Sequence, residues 1–142
     1  MSVTFDHCGF VVTNLEMAVE FCTRVLGAQE LRRGAISNPD GNSMSDIFGV
    51  SPKATAAFVF LSFGGAEIEM LEWSDPQRHN AVPGNSDVGA RHLALRVSGF
   101  DQLVGTIREL PGFAVRSLSP RGFHYVKTPF GLELQLYPAG EA

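Results

Sequence analysis

Two histidines open two look-alike stretches of the chain. His7-Cys-Gly-Phe-Val-Val-Thr-Asn-Leu15 runs on to Gly27, and His92-Leu-Ala-Leu-Arg-Val-Ser-Gly-Phe100 runs on to Gly112. Aligning the histidines also aligns Val12 with Val97, Val19 with Val104, and Gly27 with Gly112. Imidazole is the commonest side-chain metal ligand, and a repeated unit with a histidine at the start of each copy is a way to bring two imidazoles together. The acids repeat as well. Glu69 stands four residues after Gly65, and Gln135 four residues after Gly131. Glu69 and Gln135 are therefore repeat mates, as Glu67 and Glu133 are. Residues two apart on a strand share a face, and charged residues are rarely fully buried unless paired or metal-bound. If that face lines a cavity, two histidines and two oxygen donors meet there. Such a mixed set suits a first-row divalent ion with positions left open for a ligand. A lone strand histidine is more often a hydrogen-bonded core or surface residue; the repetition is what favours a metal. Cys8, next to His7, alternates to the opposite face and is discounted as a ligand.

The elements that must position these residues follow from periodicity. Phe5 to Val12 reads as a strand. Asn14 is a good helix N-cap, and Leu15, Ala18, Val19, Cys22, Val25 and Leu26 recur at helical spacing until Gly27. Gln29–Arg33, Ala54–Phe63 and Ala66–Trp73 are strands, with Gly64-Gly65 as a hairpin turn. Ser74 to Gly89 carries Pro76, Pro83 and Gly84 and reads as a linker. The pattern then restarts: strand Arg91–Val97, helix Phe100–Leu110, and strands Phe113–Leu118, Gly122–Lys127 and Leu132–Tyr137. The expected fold is α+β, with two tandem β-α-β-β-β modules (3–73 and 90–138, linker 74–89) forming a curled, mostly antiparallel sheet around a cavity, all one domain. The stretch from Arg33 to Lys53 has no counterpart in the second half. It holds a turn signal at Asn38-Pro-Asp-Gly41 and a short amphipathic helix at 43–48, whose Met44, Ile47 and Phe48 favour a pocket wall, with a surface insertion packed on itself as the alternative.

Composition bounds the partners. At 142 residues the chain is about one domain long. With 44% hydrophobic and 18% charged residues it reads as globular rather than disordered. A net charge of −4 and the lack of any basic run argue against nucleic acid and anionic lipid. The apolar runs are too short for a bilayer span, and no signal peptide is evident at the N-terminus. Cys8 and Cys22 form no C-x-x-C motif; they are expected to be thiols in a cytoplasmic protein.

Taken together, the pattern resembles the vicinal oxygen chelate superfamily, which includes glyoxalase I, methylmalonyl-CoA epimerase, extradiol dioxygenases and the bleomycin- and fosfomycin-resistance proteins. The resemblance spans nearly the whole chain. It rests on His7-x-x-x-Val-Val-Thr-Asn-Leu15, Phe21 with Leu26-Gly27, Gly65-x-x-Ile-Glu69-Met-Leu-Glu72, His92-Leu-Ala-Leu-Arg-Val97 and Thr128-Pro-Phe-Gly131-Leu-Glu-Leu-Gln-Leu136. It implies a divalent metal (Zn, Ni, Co, Mn or Fe) held by His7, Glu69, His92 and a last-strand residue. The family usually has glutamate four residues after the turn glycine, and this chain has Gln135 there. Either Gln135 is the fourth ligand or a register shift brings in Glu133. An amide does not titrate, so Gln135 cannot be the proton-transfer base that the family glutamate often is. Glu133 and Glu69 are the candidate catalytic carboxylates.

The function implied is that of a metal-dependent lyase, isomerase or epimerase. It would act on a small carbonyl or vicinal-oxygen substrate through a metal-stabilised enolate. Two alternatives stand beside it. One is a metal-free binding or resistance protein whose pocket, lined by Phe48, Phe58, Phe60, Trp73 and Tyr125, sequesters an aromatic compound. The other is an extradiol-type dioxygenase, against which the extra oxygen donor argues mildly. Of His124 and Tyr125, alternation puts one on the cavity face. The expected assembly is a homodimer.

Overall fold

The computed structural model describes residues 1–38, 43–79 and 81–140. Three of the turn residues read from the sequence, Pro39, Asp40 and Gly41, lie outside these. The chain divides into two compact units, Met1–Asn80 and Ala81–Ala142.

In the first unit the order is β1 (Cys8–Val11), α1 (Leu15–Glu20), β2 (Gln29–Ile36), α2 (Ser43–Phe48), β3 (Thr55–Phe63) and β4 (Ala66–Ser74). The strands form one open sheet in the order β1-β4-β3-β2, with β1 parallel to β4 and the other pairs antiparallel. Gly64 and Gly65 both take positive φ, as a two-residue hairpin that matches strand twist requires. The sheet has two distinct faces. Phe10, Val59, Leu61, Ile68 and Met70 line one of them and are buried, together with Leu15, Ala18 and Val19 of α1. This is the unit's apolar core.

The helix differs from expectation past Glu20. Phe21 to Val25 is π-helical, and the Thr23 hydroxyl there donates to the Val19 and Glu20 carbonyls. Hydroxyls that bond back to the preceding turn compete with regular helix hydrogen bonds. Cys22 is fully buried in this turn and its thiol is pushed up to about 12 by burial, so it stays protonated. Both cysteines are free.

Two side chains fix the start of α1. The Asn14 Oδ1 accepts from the Met17 N–H at 3.0 Å, and the Glu72 carboxylate accepts from the Leu15 N–H at 3.0 Å. Asn14→Ala is expected to cost about 1 kcal/mol of stability, read as a lower urea midpoint by circular dichroism. A midpoint unchanged from the parent would mean that Glu72 alone holds the helix end.

The second unit repeats the plan: β5 (His92–Val97), α3 (Phe100–Arg108), β6 (Ala114–Val115), β7 (His124–Lys127) and β8 (Glu133–Pro138). Its sheet order is β5-β8-β7-β6, again with one parallel pair, β5 with β8. This is the order and sense of the first sheet. The α+β class and the duplicated β-α-β-β-β unit are thus as expected. The strands group as two four-stranded mixed sheets, and neither closes on itself. Val104 and Ile107 of α3 are buried, as are Val126, Leu134 and Leu136 of the sheet. β6 is shorter than its sequence suggested because the chain turns back at once: Ser119 and Phe123 exchange backbone and side-chain hydrogen bonds across the turn. The turn before β8 is clamped by Thr128, whose hydroxyl bonds both the carbonyl and the N–H of Leu132, with Phe130 fully buried beneath it. That clamp fixes the register of Glu133 and Gln135.

Candidate functional site

In the first unit, register assigns the face opposite the core. Gly9 is paired with Glu69, Glu69 with Phe60, and Phe60 with Arg32. Glu67, Leu71 and Trp73 lie on the same face by alternation, as do Phe58 and Ser62. Cys8 pairs with Ile68 and lies on the other face, as expected. His7 precedes β1 by one residue, because the strand begins at Cys8 rather than Phe5. Its contacts still place it with Glu69. The imidazole Nε2 lies 3.8 Å from Glu69 Oε1, and the ring meets Phe60 edge-on at 5.0 Å. The other ring nitrogen, Nδ1, is hydrogen-bonded to the Asp6 carboxylate. A carboxylate on one imidazole nitrogen fixes the tautomer and turns the other nitrogen outward as a ligand. The side chains of His7 and Glu69 are 31% and 18% exposed, so the pair is reachable from solvent.

The aromatic residues expected to line a pocket are largely engaged with one another. Phe60 is buried between His7 and Arg32. Phe58 meets Phe60 edge-on at 5.8 Å, and its ring lies over Gly34, where an added Cβ would fall 2.7 Å from it. Phe48, at the end of α2, packs edge-on against Trp73 at 5.7 Å. Met44 is buried.

In the second unit His92 pairs with Glu133, and Ala94 with Gln135. Tyr125 pairs with Gln135 across β7 and meets the His92 ring edge-on at 5.4 Å. Tyr125 is therefore the member of the His124–Tyr125 pair that shares the His92 face. His124 faces the helix, stacked on Phe100 and donating from Nδ1 to the Arg116 carbonyl at 2.7 Å. The two last-strand candidates differ in their surroundings. Glu133 Oε1 accepts from Arg116 Nε at 2.6 Å and from Asn85 Nδ2 at 3.1 Å. The carboxylate in turn raises the Arg116 guanidinium above its ordinary pKa. Gln135 is buried, and its amide nitrogen donates to the Tyr137 hydroxyl at 2.8 Å. That bond leaves the amide oxygen as the group free to act as a donor atom.

The donors stand in their own units: His7 with Glu69, and His92 on one sheet face with Glu133 and Gln135. Among the described residues no three His, Cys, Asp or Glu side chains form a group placed to hold a metal ion. In the first unit an oriented imidazole beside a carboxylate is chemistry that suits a first-row divalent ion; in the second, Gln135 offers an oriented amide oxygen. Register also equates the two oxygen donors. Glu69 and Gln135 each sit opposite the residue two places after the repeat histidine.

Sequence reasoning did not single out Asp6, Arg32, Arg116 or Asn85. The Asp6-His7 dipeptide was a readable sign of an oriented imidazole. The other three reach their partners only through strand register and loop return.

The glyoxalase/bleomycin resistance protein/dioxygenase superfamily model matches residues 6–125. A 2-epi-5-epi-valiolone epimerase from Actinomyces sp is 32% identical over 98% of this chain and 82% of its own length. A glyoxalase family protein from Bacillus cereus superposes with a TM-score of 0.79 at 15% identity, over 99% of this chain and 97% of that one. The fosfomycin resistance protein FosX from Listeria monocytogenes, complexed with Mn(II) and 1S,2S-dihydroxypropylphosphonic acid, gives 0.65 at 16% identity, over 99% and 95%. These structures share the fold. With the family match over most of its length, the chain belongs to the glyoxalase/bleomycin resistance protein/dioxygenase superfamily.

Proposed function

We propose that this chain is a metal-dependent epimerase or isomerase that moves a proton α to a carbonyl on a small, oxygen-rich substrate. Relatedness to an epimerase over nearly the whole chain supports isomerisation ahead of a lyase or dioxygenase reaction. The observation that carries the reading is the Asp6–His7–Glu69 arrangement: an imidazole oriented by one carboxylate, with its free nitrogen turned to a second. His7 with Glu69 in the first unit, and His92 with Gln135 in the second, are the proposed divalent-ion ligands. When bound, that ion would supply a Lewis acid that stabilises charge building on the substrate oxygen.

The chain's own residues supply the rest. Glu69, partly exposed and held only loosely by His7, is the first choice to take the α-proton. A carboxylate beside the reacting carbon suits that transfer. Glu133 is the second candidate. Its Oε1 is committed to Arg116 and Asn85, so any proton it carries must sit on Oε2. The aromatic binder reading is weaker, because Phe58, Phe60, Phe48 and Trp73 are spent on contacts with each other and with His7, Arg32 and Gly34. The two units are proposed to act as modules of one domain, in a cytoplasmic homodimer. No helix among the described residues is long and apolar enough to cross a membrane.

The test pairs two measurements on protein purified without a histidine tag. Metal analysis should find a divalent ion in stoichiometric amount, lost in His92→Ala while circular dichroism is unchanged. Incubation with 2-epi-5-epi-valiolone in D2O should place deuterium at the carbon next to the carbonyl. Metal-free protein with no exchange on adding divalent ions would overturn the reading.

A further inference from the structure

Next to His7 and Glu69, on the same face, stands a polar pair that the proposed chemistry does not use. The Arg32 guanidinium lies flat over the Phe60 ring, its carbon 3.9 Å from the ring centroid. Its two terminal nitrogens face the two oxygens of Glu67 at 3.5 and 3.4 Å. A relaxed guanidinium–carboxylate pair closes to about 2.7–2.9 Å. This pair is wider, and both side chains are reachable, at 53% and 34% exposure. The neighbouring Arg33 behaves differently. It turns to the other face and bonds Glu16 at 2.8 Å and Glu30.

Position ties the pair to the donor pair. Arg32, Phe60, Glu69 and Gly9 lie in one straight row across four strands. Arg32 is two strands from Glu69, about 10 Å between backbones, and Glu67 is two residues before Glu69 on β4. A ligand with one edge at His7 and Glu69 extends naturally toward Arg32 and Glu67.

The chemistry of the pair selects what that far edge carries. An unpaired arginine would favour a phosphate or carboxylate. Here Glu67 balances the charge, and a second anion would meet its carboxylate. Donor N–H groups beside an acceptor carboxylate suit hydroxyls instead, since each hydroxyl both donates and accepts. Two hydroxyls on adjacent ring carbons match one guanidinium edge and one carboxylate. Stacking on Phe60 fixes the guanidinium plane beforehand, which lowers the ordering cost of binding. We propose that Arg32 and Glu67, pinned on Phe60, form a subsite that reads adjacent hydroxyls of a polyhydroxylated ring. The subsite thereby sets the substrate class of the site at His7 and Glu69. This inference rests on the reading above for the role of the neighbouring site, but its test does not need turnover.

The probes are myo-inositol, a neutral ring polyol with no carbonyl, and inorganic phosphate. Each is titrated into nitrogen-15-labelled protein while the Arg32 Nε–H resonance is followed, with sodium chloride as the ionic-strength control. Inositol should shift that resonance saturably at millimolar concentration, and phosphate should do no more than the salt. Arg32→Lys, which loses the planar fork and the stacking, should weaken inositol binding at least tenfold with metal content and circular dichroism unchanged. Glu67→Ala should lose inositol and gain phosphate binding, because the guanidinium charge is then unbalanced. A phosphate shift in the parent protein without an inositol shift would overturn the proposal in favour of an anion site. No shift with either probe would overturn it outright. Inositol binding without deuterium exchange into the valiolone leaves this subsite standing and removes the epimerase reading alone.

Discussion

Glu69→Gln is expected to lower α-proton exchange by about 10²–10⁴-fold, the usual worth of a positioned acid–base group. The substitution keeps the shape of the side chain and an oxygen within reach of His7, but an amide does not take up a proton at working pH. The loss should appear in kcat measured with divalent ion in excess, so that weaker ion binding does not masquerade as lost chemistry. The protein should fold as before, since Glu69 lies on the face opposite the apolar core and bears on no helix cap; that task belongs to Glu72. Glu133→Gln provides the contrast. If exchange survives Glu69→Gln within about tenfold and collapses in Glu133→Gln, the proton carrier is Glu133 and the assignment here is wrong.

The two carboxylates were equal candidates in the sequence and are unequal in the structure, and the reason is instructive. Alternation along a strand is a local property. Glu67 and Glu69, or Glu133 and Gln135, could be placed on shared faces from period two alone. The repeat likewise made His7 and His92 counterparts before any register was known, and the paired strands agree with that alignment. Whether a carboxylate is free is not local. Arg116 reaches Glu133 because β6 and β7 fold back beside β8, and Asn85 comes from a segment that read only as a linker. Arg32 was invisible for the same reason. It reads as one of two adjacent arginines on a polar strand until Phe60 is seen beneath it. The ends of elements were also hard to place. β1 loses Phe5 to His7 because the segment before Cys8 finds no strand partner on β4, and the first helix changes pitch where Thr23 bonds back into the preceding turn. Hydrophobic period sets where an element lies, while side-chain hydrogen bonds set where it stops.

The last-strand ligand gives the sharpest test of the repeat. Gln135 lies opposite Ala94 as Glu69 lies opposite Gly9, each two residues beyond the repeat histidine, whereas Glu133 lies opposite His92 itself. The Thr128 clamp holds that register, so a slip that would exchange the two carries the cost of breaking both bonds to Leu132. Gln135→Glu is therefore expected to tighten divalent-ion binding by adding a charge to the donor set. Tyr137 need not be lost in that variant, because its hydroxyl, which accepts from the amide now, is able to donate to a carboxylate. Glu133→Gln is expected to leave ion affinity nearly intact and to act on stability instead. It removes the charge that Arg116 and Asn85 share, at a cost of about 1 kcal/mol once the half-exposed guanidinium is discounted for solvent screening. Calorimetric titration of both variants with a divalent ion separates the cases. A large loss of affinity in Glu133→Gln with no change in Gln135→Glu would make Glu133 the ligand. Equal loss in both would contradict either choice, since the two side chains are about 6–7 Å apart along the strand and one ion cannot take both without distorting it.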